Sequence, residues 1–207
     1  MATTLTRQAR TSHGSPRPAE ARHGFSLVEL LVVIAILGIL MSLATLPFQE
    51  LIANQRLKSV TSDLAADLAL ARTEAIKRST RVGIARVTDQ WVGGWQVFDD
   101  ANRDGQFTPA ANNTCPNLGD ECYLISRPAL DPSVKVCTTG TNADNSIDVL
   151  TFGADGRVRT YKAGVDIPNV RAIIISSTLI SPNVPARMLE FSPSGRVTVV
   201  TGVPRCD

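Results

Sequence analysis

The residues with the clearest metal-binding character lie in the segment 99 to 105, DDANRDG. There Asp100, Asn102, Asp104 and Gly105 match the opening of a calcium loop, D-x-N-x-D-G. The twelfth position of such a loop supplies a bidentate glutamate, and here it is Ala111. The segment therefore reads as a plain polar hairpin turn, with no metal expected. Four cysteines stand at 115, 122, 137 and 206. The run CPNLGDEC spaces its two cysteines too widely for a zinc knuckle, and both histidines, His13 and His23, lie far upstream. After residue 24 no histidine remains, and Lys58, Lys77, Lys135 and Lys162 are the only lysines. With no acid-base pair in view and no glycine-rich phosphate loop, the sequence predicts neither an enzyme nor a cofactor.

Charge is spread unevenly along the chain. Residues 82 to 155 hold 4 basic and 10 acidic side chains, whereas residues 156 to 207 hold 7 basic and 3 acidic. Arg157, Arg159 and Lys162 cluster at one turn signal, and Arg196 stands in a second, similar one: LTFGADGRV and LEFSPSGRV share F-x-x-x-G-R-V. Each reads as strand, glycine turn, strand. Basic groups gathered on one face hold phosphates in a salt-dependent way, which makes these four residues the candidates for DNA contact.

One acid sits where it is expensive. Glu29 interrupts an otherwise apolar run from Phe25 to Leu46, 22 residues that as a helix reach about 33 Å, the thickness of a bilayer core. An ionisable group inside a membrane signals a function and a partner. Upstream, Arg7, Arg10, Arg17 and Arg22 face only Glu20 in a segment rich in Pro, Ser and Gly, which the positive-inside rule holds on the cytoplasmic side. The net charge of +2 belongs to this segment, since without residues 1 to 24 there are 17 basic and 18 acidic side chains. A secretory signal would have a shorter apolar region and end in a small-residue cleavage site, which Leu46-Pro47-Phe48-Gln49 does not offer. The cysteines then lie outside the cytoplasm, where disulfides persist. Three pairings are possible; Cys115 with Cys122 would close a short loop, and Cys137 with Cys206 would tie the C-terminus to the body.

Gly24-Phe25-Ser26-Leu27-Val28-Glu29 followed by about 17 apolar residues resembles the class III signal of type IV pilins and pseudopilins. The resemblance implies cleavage after Gly24 by a prepilin peptidase and N-methylation of Phe25. It also implies that Glu29 pairs with the N-terminal amine of a neighbouring subunit during assembly. Pro47 matches the helix-softening proline of that family, a helix break that removes one backbone hydrogen bond. The segment VTDQWVGGWQVFDDANRDG and the late FSPSGRVTVV look like the GspH/FimT group of minor pilins and pseudopilins. The implied function is a minor pilin that supports assembly or priming of a type IV pilus. Its implied partners are other major and minor pilins, the peptidase, the inner-membrane assembly platform and, before assembly, the membrane itself. The implied location is the inner membrane, single-pass with the head in the periplasm, and then the cell-surface pilus. A type II secretion pseudopilin shares every N-terminal residue. Some FimT proteins bind DNA through G-R-x-R near the C-terminus; here GRVR stands earlier, at 156 to 159, and the late copy is GRVT.

These residues need elements to position them. Leu57, Val60, Leu64, Leu68, Ala71 and Ala75 fall at helical spacing, so the sequence predicts that the apolar helix continues as an amphipathic one to about Arg78. Arg56, Lys58, Asp63, Asp67, Arg72, Glu74, Lys77 and Arg78 would form its solvated face. Beyond it, short runs rich in Val, Ile and Thr predict strands near 82 to 88, 92 to 98, 122 to 126, 133 to 137, 147 to 152, 157 to 161, 171 to 176, 187 to 192 and 196 to 201. The expected fold is α+β, a long N-terminal helix packed on an antiparallel β-sheet head. Its expected divisions are a cleaved leader (1–24), a transmembrane or filament-core half-helix (25–46), an amphipathic half-helix (47–80) and the head (81–207).

Overall fold

The computed structural model describes residues 25–108, 120–139, 147–168 and 171–206, with the side chains of 43–47 outside the description. The leader and its cleavage residue Gly24, and also Cys115, therefore lie outside the described residues. The chain divides into two compact units, one ending at Ala44 and one beginning at Thr45. Helix α1, Leu27–Arg78, contributes to both.

In the first unit α1 is apolar on all sides. Apart from Glu29, its side chains from Leu27 to Met41 are aliphatic or small, and the large ones are between 44% and 78% exposed. A helix apolar all round needs an apolar surrounding. Among the described residues no helix is long and apolar enough to cross a membrane. Residues 27 to 42 reach about 24 Å, short of the roughly 30 Å core, and the expected span of 25–46 runs on into side chains outside the description. α1 does not end at Pro47. Proline lacks one amide donor but has a helix-compatible φ, so the break expected there is limited to one missing hydrogen bond within a continuous element.

In the second unit α1 buries Ala53, Leu57, Leu64, Leu68, Ala71 and Ala75, at the spacing that puts one side of a helix against a core. Val60 of the expected stripe is partly buried at its edge. The helix stops at Arg78 because Ser79 turns into the left-handed region, φ 54°, and the amide of Thr80 then caps the carbonyl of Ala75.

Ten strands follow: β1 Val82–Arg86, β2 Trp95–Asp99, β3 Tyr123–Arg127, β4 Val134–Thr139, β5 Val149–Phe152, β6 Val158–Lys162, β7 Val165–Asp166, β8 Ala172–Ser177, β9 Ala186–Phe191 and β10 Val197–Val203. They form a six-stranded sheet in the order β3-β2-β1-β5-β6-β7 and a four-stranded sheet in the order β10-β9-β8-β4. Every pairing is antiparallel. The fold is thus α+β, as the periodicity predicts.

Most strand limits fall within two residues of the sequence reading, but one start is further off and the short β7 is not foreseen. The expected strand 92 to 98 begins only at Trp95, because Trp91–Gly93 forms a 3-10 turn closed by Gly94 at φ 95°. Two-residue β7 is too short to show a period. One face of the six-stranded sheet joins the main core through Val82, Ile84, Trp95, Val97, Leu150 and Phe152. Its other face carries a small second cluster of Ala85, Phe98, Val149 and Tyr161, covered by Phe107.

Candidate functional site

Glu29 occupies the first turn of α1, where a carboxylate is favoured by the amide dipoles. The amide of Leu30 bonds to the carbonyl of Ser26, so the helix starts within two residues of Phe25, which is 82% exposed. The expected processing and assembly residues described here, Phe25 and Glu29, thus sit together at an open helix terminus.

A buried acid of α1, Asp67, joins the helix to the six-stranded sheet. Asp67 was expected on the solvated face, and it is instead 2% exposed. Its carboxylate accepts from the Trp95 indole Nε1 at 2.8 Å and from Arg127 Nε and Nη2 at 2.8 and 3.0 Å. That two-pronged contact raises the guanidinium pKa of Arg127 above its usual range. The correction has a simple cause: Asp67 sits between Leu64 and Leu68 on the inward side, and only partners from β2 and β3 make a charge tolerable there.

The two F-x-x-x-G-R-V turns meet. Gly156 and Gly195 have φ of 73° and 77°, a region that favours glycine. They also touch, since a Cβ on Gly195 would lie 1.9 Å from the Gly156 carbonyl oxygen. Arg72 of α1 straddles both turns, donating from Nε to the Gly156 carbonyl at 3.3 Å and from Nη2 to the Ser194 carbonyl at 3.1 Å. Arg157 and Arg196 follow these two glycines and are both exposed. Thus the fold brings two of the four basic candidates to one place.

Arg159 lies two residues further along β6 and shares a groove of about 430 Å³ with Arg81, Arg103 and Arg157. Beyond Arg159 a second groove of about 170 Å³ adds Arg171. Lys162 is separated from this group. It pairs with Val165 at the far end of β6, on the opposite face from Arg159 by strand alternation. Acids temper the field: Asp155 lies 3.6 Å from Arg157 and Asp166 lies 3.9 Å from Arg159.

The polar turn after β2 is tied by its own side chains. The Asp104 amide donates to Asn102 Oδ1 at 2.9 Å, and the Gln106 amide to Asp104 Oδ1 at 2.7 Å. Gly105 lies flat on the Tyr161 ring, where a Cβ would come within 2.5 Å of Cδ1. Asp100 is fully buried and meets Arg81 Nη1 at 3.4 Å. Glu121, 3% exposed, accepts from the Thr108 amide at 2.7 Å. Burial first, then the charges of Asp100, Asp104 and Asp99, push the Glu121 carboxyl up to about 7. Carboxylate oxygens of Asp100, Asp104 and Glu121 all lie within 4.8 Å of one another. Glu121 is 21 positions beyond Asp100 and matches no calcium-loop spacing. A sequence motif could not have included it.

Cys137 of β4 is joined to Cys206. Cys122 is also in a disulfide, and Cys115, its expected partner, is outside the described residues.

A helix packed on antiparallel sheets behind an apolar segment with one acid defines a type IV pilin-like protein. Residues 21–45 match the prokaryotic N-terminal methylation motif, and residues 60–202 match the family described as type II transport protein GspH. The chain belongs to the GspH family.

Among curated proteins it is similar to the pilin-like protein PilA1 of Thermus thermophilus, 35% identical over 113 residues that cover 54% of this chain and 68% of that one. A probable minor fimbrial protein of Dichelobacter nodosus is 32% identical over 92 residues, 44% of this chain and 57% of that protein. Among solved structures, the type IV minor pilin FimU of Pseudomonas aeruginosa gives a TM-score of 0.47 at 17% identity, covering 70% of this chain and 89% of that one. The minor pseudopilin EpsH of Vibrio cholerae gives 0.43 at 11% identity, covering 70% and 95%.

Proposed function

We propose that this protein is a minor type IV pilin with no enzymatic activity, whose work is to be built into a filament. Residues 1–24 are removed by a prepilin peptidase after Gly24, and Phe25 is N-methylated. Residues 25–46 lodge in the inner membrane and later pack into the filament core, while residues 47–80 bind the head, residues 81–207, in the periplasm. The observation that carries this reading is Glu29, one acid in a helix start whose other side chains are apolar or small and exposed. In a bilayer such a carboxylate is costly until a partner's cation meets it. The methylated amine of a neighbouring subunit is of the right charge and position. The curated relatives are named as pilin-like and fimbrial proteins, which favours a pilus over a type II secretion system.

The experiment is Glu29→Ala in the native host, with immunoblots of membranes and of sheared pili. Processing should persist while the sheared fraction loses the protein at least tenfold. Unchanged incorporation refutes the role of Glu29. Recovery of the wild-type chain with secretion pseudopilins and not with pilins would reassign the filament.

A second reading, DNA capture for transformation, is favoured by the groove lined with Arg81, Arg103, Arg157 and Arg159. Its test is a gel-shift titration at low salt comparing the wild-type head with Arg157→Ala/Arg159→Ala. Absence of any shift by the wild type removes the reading.

A further inference from the structure

The polar turn after β2 retains a feature that its role as a connection does not require. Asp100 Oδ1 and Glu121 Oε1 are buried oxygens with no hydrogen-bond partner, on side chains 0% and 3% exposed. Leaving a buried polar atom unpaired is costly, and more so for a carboxylate. Both side chains belong to the group whose oxygens, with one from the exposed Asp104, lie within 4.8 Å of one another. Arg81 meets Asp100 through Oδ2 at 3.4 Å, and the same Nη1 also donates to the Arg103 carbonyl and the Tyr161 hydroxyl.

We propose that Asp100, Asp104 and Glu121 form a binding site for a divalent cation of the calcium class. The donor set is all oxygen, which selects hard cations over zinc or copper. Calcium accepts irregular shells of oxygen ligands, whereas magnesium demands a near-ideal octahedron and gives up its waters reluctantly, so three carboxylates brought together by a turn and a returning strand suit calcium better. The site explains the broken motif: the loop opens as D-x-N-x-D-G, and the carboxylate missing at position 111 is supplied by Glu121 as the chain returns towards β3.

It also has a structural consequence. The same turn holds Gly105 on Tyr161 and Phe107 on Phe98, whose ring centroids are 4.6 Å apart. A bound cation would therefore pin the cover of the sheet's outer face. Outside the cytoplasm, where the proposed function places the head, millimolar calcium suits modules with weak affinity, on the order of 10⁻⁴ to 10⁻³ M.

The test uses the full-length protein in detergent, stripped with EDTA, titrated with CaCl₂ or MgCl₂ by calorimetry and followed by thermal melting. Calcium should bind at one site and magnesium at least tenfold more weakly. At free calcium 100 times its Kd, the unfolding equilibrium should shift about 100-fold, roughly 5 to 10 °C. Asp104→Asn should lose at least tenfold in calcium affinity while melting without calcium at or above the wild-type temperature, because it removes repulsion. Glu121→Gln should lose the response as well. If calcium gives neither heat nor a melting shift up to about 10 mM, above the weak end of known sites, the proposal is wrong. It is equally wrong if Asp104→Asn keeps the full wild-type response.

Discussion

Replacing Asp67 with Ala tests whether one buried acid couples the helix to the sheet. Three hydrogen bonds end on this carboxylate, from the Trp95 indole and from two nitrogens of Arg127. Their worth is unequal. Trp95 is 2% exposed, so its N–H would be stranded at a cost of about 1–3 kcal/mol. Arg127 is 37% exposed at its side chain and can turn to water, so its share is nearer the 1 kcal/mol of a screened pair than the 3–5 of a fully buried one. Ala regains up to about 0.5 kcal/mol in helix propensity. The net loss is about 2–3 kcal/mol, a fall in melting temperature of roughly 5–10 °C for a unit of this size.

Asp67→Asn keeps an acceptor for the indole and should cost about 1 kcal/mol. The assay is urea unfolding, followed by far-UV circular dichroism, of the unit from Thr45 onward, whose clustered core lies between Ala53 and Phe191. Trp95→Phe completes a double-mutant cycle. A loss below about 0.5 kcal/mol for Asp67→Ala, or additive Asp67 and Trp95 effects, would refute the coupling.

Two further outcomes follow from the turns. Gly195 and Gly202 have nearly equal φ, 77° and 78°, but a Cβ at 195 meets a carbonyl oxygen at 1.9 Å and one at 202 meets nothing within 4 Å. In the same urea assay Gly202→Ala should cost about 1 kcal/mol from backbone strain alone, and Gly195→Ala about 3 or more as the two turns are forced apart; equal losses would mean the turns do not touch. If the arginine groove holds DNA, Arg157→Ala/Arg159→Ala should reduce the slope of log affinity against log salt by about 1.8, two phosphate contacts' worth, in the gel-shift titration.

What could be read from sequence alone was local or periodic. The N-terminal signal is a set of fixed spacings around Gly24, Phe25 and Glu29. The inward stripe of α1 from Leu57 to Ala75 is a 3.6-residue repeat, and the strands announce themselves by β-branched runs between turn residues. Strand 92 to 98 was misjudged at its start because a local 3-10 turn of Trp91–Gly93 uses the same residue types. Closeness along the chain does not place Lys162 with Arg157 and Arg159, because alternation sends it to the other face of β6 from Arg159.

The sequence by itself determined the class of most elements and the N-terminal methylation motif, because both depend on neighbours within a few residues. Only the tertiary structure decided that Asp67 is buried and paired, that Gly156 and Gly195 touch beneath Arg72, and that Glu121 completes what Asp100 and Asp104 begin. Each depends on which residues different strands and turns bring opposite one another. That is set by sheet order and register, by the energy of the whole packed core and not by the spacing of any single segment.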